Sequence, residues 1–423
     1  MKALVIGGMR RRLESVAAAG YDVTWLVAQD ALLADDVKLP VRRLYAFSPD
    51  DPVDDVFALA MAMHGRLGFD KVFSFHDDSQ ALAIRLGEAI GCGFAFGMEA
   101  LLNTRFKQTM RERLRQAGVP SCWSAVAGDA DELVRVVRDS DFSRLIAKPI
   151  DGTGSRAVVA IASPQDVTVE WARQYVQEYP VLVEEFLEGR EYSVESFTAQ
   201  GVHHFAGITE KSIDAATFIE TGHVFPAPLA PEVAKAITDY VASALTALGV
   251  DNTPAHTEIM LTADGPRIIE TYTRVGGDWI PALVEEVTGI DLYALGTRIQ
   301  LDQKWSGATE VFAQAARRGG SGIRYMVPPA PGCLITALGG VDDARALPGV
   351  LDVHAIRKCG ERTRSLAGGF GRLAYVRAIR PTRQELDATL DQAVGGIRFS
   401  FGDGGQEQGR GCDAVCSPEV AAL

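Results

Sequence analysis

The chain has 423 residues, with 42 Lys and Arg against 55 Asp and Glu and a formal charge of −13. That balance argues against a nucleic-acid partner, because binding a phosphate backbone rests on clustered Lys and Arg, although an acidic protein can hold an anionic small molecule at a local basic site. Apolar residues at 47% and charged residues at 23% are ordinary for a globular enzyme, and at roughly 100–200 residues per domain the length predicts several domains or lobes. The most apolar run, Val56 to Met63, then meets His64 and Arg66, whereas a membrane-spanning helix needs about 20 such residues. The start, MKALVIGG, runs straight into a strand pattern rather than a leader with a cleavage site. Cys92, Cys122, Cys333, Cys359, Cys412 and Cys416 form no CxxC pair. No disulfide framework is expected, which fits a reducing cytoplasm.

The first hundred residues alternate strand and helix. Lys2–Gly7, Tyr21–Ala28 and Lys71–Phe75 read as strands; Arg10–Ala19, Asp54–Leu67 and Ser79–Gly91 read as helices. This rhythm predicts a parallel sheet with right-handed crossovers, whose ligands bind at the carboxyl ends of the strands. Gly7-Gly8 lies at such an end but opens no GxGxxG. His76-Asp77-Asp78 lies at another, either as a substrate-facing edge or as a polar turn with a helix cap. Next, Asn103 or Thr104 is expected to cap a basic helix, KQTMRERLRQAG, ending at Gly118. Strands are predicted at Ser121–Ala127, Leu145–Ile150 and Ala157–Ile161, with helices at Asp131–Ser140 and Pro164–Tyr179. Three apolar strands follow over 180–210, then a helix at Glu232–Leu248 and a hairpin at 255–273. The stretch 305–400 reads as β-rich with a closing helix at Thr382–Val394, and the polar residues 402–423 as a flexible tail in which Cys412 and Cys416 carry no metal or redox role.

Three segments carry chemistry. In Ile146-Ala147-Lys148-Pro149-Ile150 a lysine sits inside an apolar strand, where a charge is costly unless paired. The loop after it contains Gly152, Thr153, Gly154 and Ser155; its amides can cradle phosphate oxygens, for which Lys148 is the matching cation. In the hairpin AHTEIMLTADGPRIIETYTR, a three-residue loop with Gly265 in the left-handed region sets Glu258 opposite Glu270 and His256 opposite Tyr272. Facing carboxylates, about 4.5–5.5 Å apart at Cβ, repel unless a cation lies between them, and oxygen donors beside phosphates favour Mg²⁺. Arg274 continues the same face. Finally, Val181–Leu187, with Glu184, Glu185, Phe186 and Leu187, joins two strands and can hold an adenine by its backbone, with Glu191 beyond it able to accept from ribose hydroxyls. Lys107 on the basic helix is either a solvated side chain or a second phosphate contact.

In this order these segments resemble the ATP-grasp superfamily, across roughly residues 1–400. The resemblance implies an α/β protein of ATP-grasp fold: a Rossmann-like α/β lobe over 1–100, an ATP-grasp core over 101–304 with a small lid lobe at about 119–187, a β-rich C-terminal lobe over 305–400, and a tail over 401–423. It implies that Lys107 and Lys148 contact ATP phosphates under a closing glycine loop, that Glu184–Leu187 hold adenine and Glu191 ribose, that Glu258 and Glu270 bind Mg²⁺ (or Mn²⁺), and that Arg274 stabilises the transferring phosphoryl group. The usual last motif has Asn as a further metal ligand where this chain has Tyr272. The segments 207–226 and Arg274–Asp278 resemble ligases that couple amino acids into dipeptides. That likeness implies a cytoplasmic ligase joining a small carboxylate and an amine through an acyl phosphate, with a homodimer possible and with no membrane or nucleic-acid partner. Glu220, His223, Gly277 and Asp278 are the expected substrate pocket, with His223 orienting a carboxylate or acting as base. Carboxylase-like or glycinamide-synthetase-like chemistry, or nucleotide binding without turnover, are the alternatives.

Overall fold

The structure, a computed structural model, describes residues 1–402 apart from 9, 33–37, 151–156, 177–178, 215–216, 303–304, 306, 314–317 and 365–370. Gly152, Thr153, Gly154 and Ser155, and the expected tail from 403 onward, lie outside the described residues.

The N-terminal apolar runs form a parallel sheet. In chain order it contains β1 (Lys2–Ile6), α1 (Arg10–Ala18), β2 (Asp22–Ala28), β3 (Arg43–Phe47), α2 (Val53–Leu67), β4 (Lys71–Ser74) and α3 (Asp77–Ala89), with strand order β3-β2-β1-β4. Leu4 and Ile6 face α2 and α3 while Ala3 and Val5 face α1, so β1 is apolar at every position after Lys2, as expected of a strand covered on both sides. The strand β3 escapes the sequence pattern because its Leu44 and Tyr45 are exposed; backbone pairing to β2 alone makes it a strand. The expected cap at Asn103 or Thr104 is corrected. Both lie inside α4 (Met98–Arg105), Asn103 Nδ2 donating to Leu248 O (3.2 Å) and Thr104 Oγ1 to Ala100 O (2.9 Å). The chain turns extended at Phe106, and α5 (Lys107–Gln116) starts there.

A small antiparallel sheet follows: β5 (Ser124–Ala127), α6 (Ala130–Arg138), β6 (Leu145–Pro149), β7 (Val159–Ile161), α7 (Val169–Tyr175) and β8 (Val181–Glu185), in strand order β5-β8-β6-β7. Leu133 and Val137 of α6 and Ala172 of α7 pack on one face. The helix expected over 164–179 divides, because Thr168 accepts from Trp171 N (3.1 Å) and starts α7 as a fresh N-cap.

The largest sheet contains β9 (Arg190–Ala199), β10 (Val202–Ile213) and β11 (Glu220–Phe225). After α8 (Pro231–Ala247) come β12 (Thr253–Thr262) and β13 (Gly265–Tyr272). Next in the chain are α9 (Ile280–Thr288), α10 (Leu292–Leu301), α11 (Ala308–Ala313), β14 (Gly320–Met326), β15 (Leu334–Gly339), α12 (Val341–Arg345), β16 (Val350–Ala355), β17 (Ala374–Arg380), α13 (Arg383–Gly396) and β18 (Arg398–Gly402). The eight-stranded order is β13-β12-β9-β10-β11-β14-β17-β16, so strands from beyond residue 304 extend the same sheet through the β11–β14 pair. Strand alternation divides the faces. Tyr192 and Val194 pack with Ile237 and Val241 of α8, whereas Phe197 packs with Leu283 and Leu295 of α9 and α10. No helix among the described residues is long and apolar enough to cross a membrane.

The hairpin turn is tighter than expected. Thr262 pairs with Gly265 (φ +100°), leaving a two-residue loop, and a bulge at Ile269 inserts one residue into β13. The two differences cancel, and Glu258 still faces Glu270, and His256 faces Tyr272. Where the chain leaves β8 for β9, Gly189 abuts this hairpin, and a Cβ there would lie 2.2 Å from Leu261 O. Gly189→Ala is therefore expected to destabilise the protein by about 1–3 kcal/mol, read as a lower denaturation midpoint; an unchanged midpoint would mean that β12 yields at Leu261 without strain.

Candidate active site

Between the small sheet and the open part of the large sheet lies a cleft of about 1260 Å³ counted to its mouth. One end is apolar, lined by Ile146, Val158, Leu187, Ile213, Met260 and Ile269. Across it runs the connection from β8 to β9. Glu185 N donates to Trp123 O (3.2 Å), Phe186 N donates to Arg144 O (3.1 Å), and Trp123 N donates to Glu185 Oε1 (3.1 Å). The Arg144 guanidinium covers the Phe186 ring at 3.9 Å. The Leu187 amide has no partner among the described residues.

The charge expected beside Lys148 exists, and the protein itself supplies it. Lys148 Nζ lies 2.5 Å from Glu184 Oε2, and Arg111 Nε lies 2.7 Å from Glu184 Oε1. Arg111 Nη2 also donates to the carbonyl of the bulged Ile269 (2.9 Å). Burial alone would raise the Glu184 pKa, but Arg111 and Lys148 overcome it and hold the carboxyl down at about 2. The same pairing raises Arg111 against its own burial. Glu184 thus anchors two cations rather than presenting its side chain to a ligand. Lys107 is likewise drawn to a carboxylate, Glu270 Oε2, at 2.9 Å.

Lys211, not singled out from the sequence, is the hub of the cleft floor. Its ammonium contacts Glu191 (2.6 Å), Glu220 (2.7 Å) and Glu258 (2.9 Å). Burial opposes its charge, yet the three acids keep its pKa well above the usual lysine value. One cation cannot satisfy three acids. Burial, reinforced by Glu258, lifts Glu191 to about 7 against the pull of Lys211. The clue in the sequence was the one that flagged Lys148, a lysine within a strand. His256 continues the network, with Nδ1 2.5 Å from Glu195 Oε1 and Nε2 3.2 Å from Glu258 Oε1; Gly276 N donates to Glu195 Oε2 (3.1 Å). Burial disfavours the imidazolium, but Glu195 and Glu258 raise its pKa to about 10.

At the other end of the cleft, Asp278 gathers three donors. Tyr325 OH reaches Oδ1 at 2.8 Å, Arg372 Nη1 reaches Oδ1 at 2.6 Å, and His223 Nε2 lies 2.9 Å from Oδ2. Arg372 also donates to Glu220 O (2.9 Å). Asp278 and Trp279 have φ of +51° and +68°, two successive left-handed residues that their surroundings must hold. Glu220, Gly277 and Asp278 line the cleft, whereas the fully buried His223 does not. A direct base role for His223 is therefore corrected: its Nε2 is engaged by Asp278 and Glu220, which raise its pKa to about 8 over the effect of burial, and it acts on the cleft only through those acids.

Arg274 is gripped by the N-terminal sheet domain, which settles the reading of His76-Asp77-Asp78. Asp77, in the first turn of α3, receives Arg274 Nε at 2.9 and 2.8 Å on its two oxygens. Gln80 Nε2 donates to Thr273 O (2.8 Å), and Arg12 Nη2 to Val275 O (3.3 Å). Asp77 is thus more than a helix cap, because it holds Arg274. The Arg274 guanidinium lies 4.7 Å over the Tyr272 ring. As donors, Glu258 and Glu270 face each other with hard carboxylate oxygens, a set suited to Mg²⁺.

Residues 143–282 match the ATP-grasp domain model, and residues 324–402 match the model of L-amino acid ligase C-terminal domain 2. The chain carries an ATP-grasp domain. Dapdiamide A synthase of Enterobacter agglomerans is 28% identical to it over 49% of this chain and 51% of that protein. Alanine–anticapsin ligase of Bacillus subtilis is 27% identical over 58% of this chain and 56% of the relative. The match thus spans little more than half the length of these curated relatives. The crystal structure of an L-amino acid ligase from Bacillus licheniformis superposes with a TM-score of 0.82 at 21% identity, covering 95% of this chain and 99% of that one, a likeness of fold. In this ATP-grasp domain, Lys148, Glu184, Glu191, Lys211, Glu258, Glu270 and Arg274 all fall within the matched span.

The Glu184 triad makes a pH prediction. A carboxyl held at about 2 when folded contributes stability that is present above its ordinary 4.5 and is lost as pH falls from 4.5 towards 2. Glu184→Gln leaves two buried cations unpaired and is expected to remove about 3–5 kcal/mol at neutral pH. It should also flatten the acid limb of the stability profile. Urea midpoints between pH 7 and 3 check both; an equally steep acid limb in the variant would contradict the assignment.

Proposed function

We propose that the chain is an ATP-dependent ligase that joins a small carboxylic acid, by preference an amino acid, to an amine, releasing ADP and phosphate. The observation that carries this reading is the convergence, in one cleft, of Lys148 from the small sheet with the facing Glu258 and Glu270 and Arg274 from the large one, next to an apolar slot. The L-amino acid ligase C-terminal domain supports the choice of chemistry, as do relatives named as an alanine–anticapsin ligase and a dapdiamide synthase.

On this reading adenine enters the apolar slot and meets the Leu187 amide, and Glu191 accepts from the ribose. Lys148 and Lys211 exchange a carboxylate for phosphate oxygens. Glu258 and Glu270 hold Mg²⁺, which when bound neutralises phosphate charge. Lys107 then serves as the counter-ion of Glu270 rather than as a direct phosphate contact. An oxygen of the substrate carboxylate attacks the γ-phosphorus; the new O–P bond forms as the bond to ADP breaks, and ADP leaves with the electron pair. Arg274, fixed by Asp77, faces the charge that develops on the phosphoryl oxygens. Glu220 and Asp278 hold the incoming ammonium. After it loses one proton to solvent, the amine attacks the acyl carbon and the C–N bond forms; phosphate departs with the electrons of the C–O bond and takes the second N–H proton. Positioning and charge neutralisation do most of the work.

The test is ADP and phosphate release from Mg-ATP with amino acids supplied singly and in pairs, with mass spectrometry of the products. The expected result is release that needs a pair and a product mass equal to their sum minus water. Lys148→Ala should abolish release, and Glu270→Gln should raise the Mg²⁺ requirement sharply. Bound ATP with no ADP release across the panel would overturn the ligase reading. That outcome would favour a site that binds without turnover, for which Tyr272 in the place of a third metal ligand is the specific argument.

A further inference from the structure

We propose that Tyr272 is a catalytic hydrogen-bond donor whose hydroxyl bonds an oxygen of the transferring phosphoryl group beside Arg274. The proposal rests on the phosphoryl-transfer reading above. Tyr272 ends β13 directly opposite His256 and lines the cleft next to Glu258 and Glu270. It is 6% exposed, and its hydroxyl meets no partner at hydrogen-bond distance and angle among the described residues, although Glu270 is near enough to add to the upward push of burial on the phenol. A buried hydroxyl left unpaired costs about 1–3 kcal/mol, which marks this oxygen as waiting for a partner from the cleft.

The neighbouring carboxylates are already engaged. Glu258 is held by Lys211 and His256, and Glu270 by Lys107; a metal between them would engage them further. Those contacts use Glu258 Oε1 and Glu270 Oε2; with a metal on the remaining oxygens, the acceptor left for the phenol is a ligand oxygen. The ring is fixed, because Arg274 covers it at 4.7 Å and Arg274 is itself tied by Nε to Asp77 and by Nη1 to Val275 O (3.1 Å). A charged donor and a neutral donor thus stand side by side on one rigid wall. As the substrate carboxylate forms its bond to phosphorus and ADP leaves with the electron pair, negative charge spreads over the three non-bridging oxygens. Preoriented donors aimed at that charge are worth most inside a water-poor cleft. In the family pattern this place carries a metal-binding Asn. A protonated phenol is a poor ligand for Mg²⁺, so this chain has exchanged a metal donor for a hydrogen-bond donor.

Tyr272→Phe removes only the hydroxyl and leaves the ring under Arg274. The probe is ADP with Mg²⁺ and aluminium fluoride, a mimic of the phosphoryl group in flight, titrated by calorimetry beside ADP with Mg²⁺ alone. Removal of one such donor lowers transition-state stabilisation by about 100- to 1000-fold. The expected result is that loss for the fluoride complex, with ADP affinity and its Mg²⁺ dependence unchanged; with the substrate pair, kcat falls by a similar factor and the KM for ATP stays. Equal fluoride-complex affinity in both proteins would overturn the proposal. A raised Mg²⁺ requirement for ADP would overturn it in favour of a metal-ligand role, and loss of ADP binding altogether would reduce Tyr272 to a structural part. Because the titration needs neither acid nor amine, failure of the amino-acid panel would leave this test standing.

Discussion

Two carboxylates, Glu258 and Glu270, face each other across the β12–β13 hairpin, and the interior around them is arranged to make that repulsion tolerable. Lys211 and His256 reach Glu258, and Lys107 reaches Glu270. Each of these cations comes from a different element, β10, β12 and α5. The acids pull the His256 pKa up to about 10 against burial, and burial's upward push on Glu258 is overcome by Lys211 and His256, which hold it at about 2. Breaking such a network by removing one member strands the others, which is far more damaging than never having built it. The same compensation makes the cleft receptive: every cation has a carboxylate that a phosphate can replace, and both facing acids have cations that a metal ion can replace.

The segment from Tyr272 to Trp279 is the second constraint, and the two ends of the chain hold it from opposite sides. The N-terminal sheet supplies Gln80, Asp77 and Arg12 to Thr273, Arg274 and Val275 in succession. From beyond β13, Tyr325 of β14 and Arg372 hold Asp278. The left-handed backbone at Asp278 and Trp279 persists because these bonds over-determine it. Arg274 and Asp278, proposed above for the phosphoryl group and the amine, are thereby fixed relative to each other across the three residues between them, and this is what the outer parts of the fold contribute to the cleft.

Much of this was readable from the sequence because it is local. The facing of Glu258 and Glu270 follows from a turn signal and a period of two. Even so, the true route to it, a shorter turn plus a bulge at Ile269, is accompanied by Arg111 donating to the displaced carbonyl, which no local pattern encodes. A lysine in an apolar strand announced a buried anion partner at Lys148; the identity of that partner, Glu184, is a matter of which strand lies alongside. The partner of Asp77, and Arg372 altogether, could not be found this way, since the contacts span 197 and 94 residues. The edge strand β3 has no buried face to leave a trace in its sequence. His223 looked catalytic as a residue type, and only three-dimensional burial shows it behind Asp278 rather than in the cleft.

The central claim is that the facing carboxylates and their exchangeable cations form a joint site for nucleotide phosphates and a divalent cation. Calorimetric titration of the full chain with a non-hydrolysable ATP analogue, in the presence of Mg²⁺ and again with a chelator, tests it most directly. Saturable binding is expected that weakens by about tenfold or more without the metal, equivalent to at least ~1.4 kcal/mol. Affinity indifferent to the metal, or no binding in either condition, would contradict it.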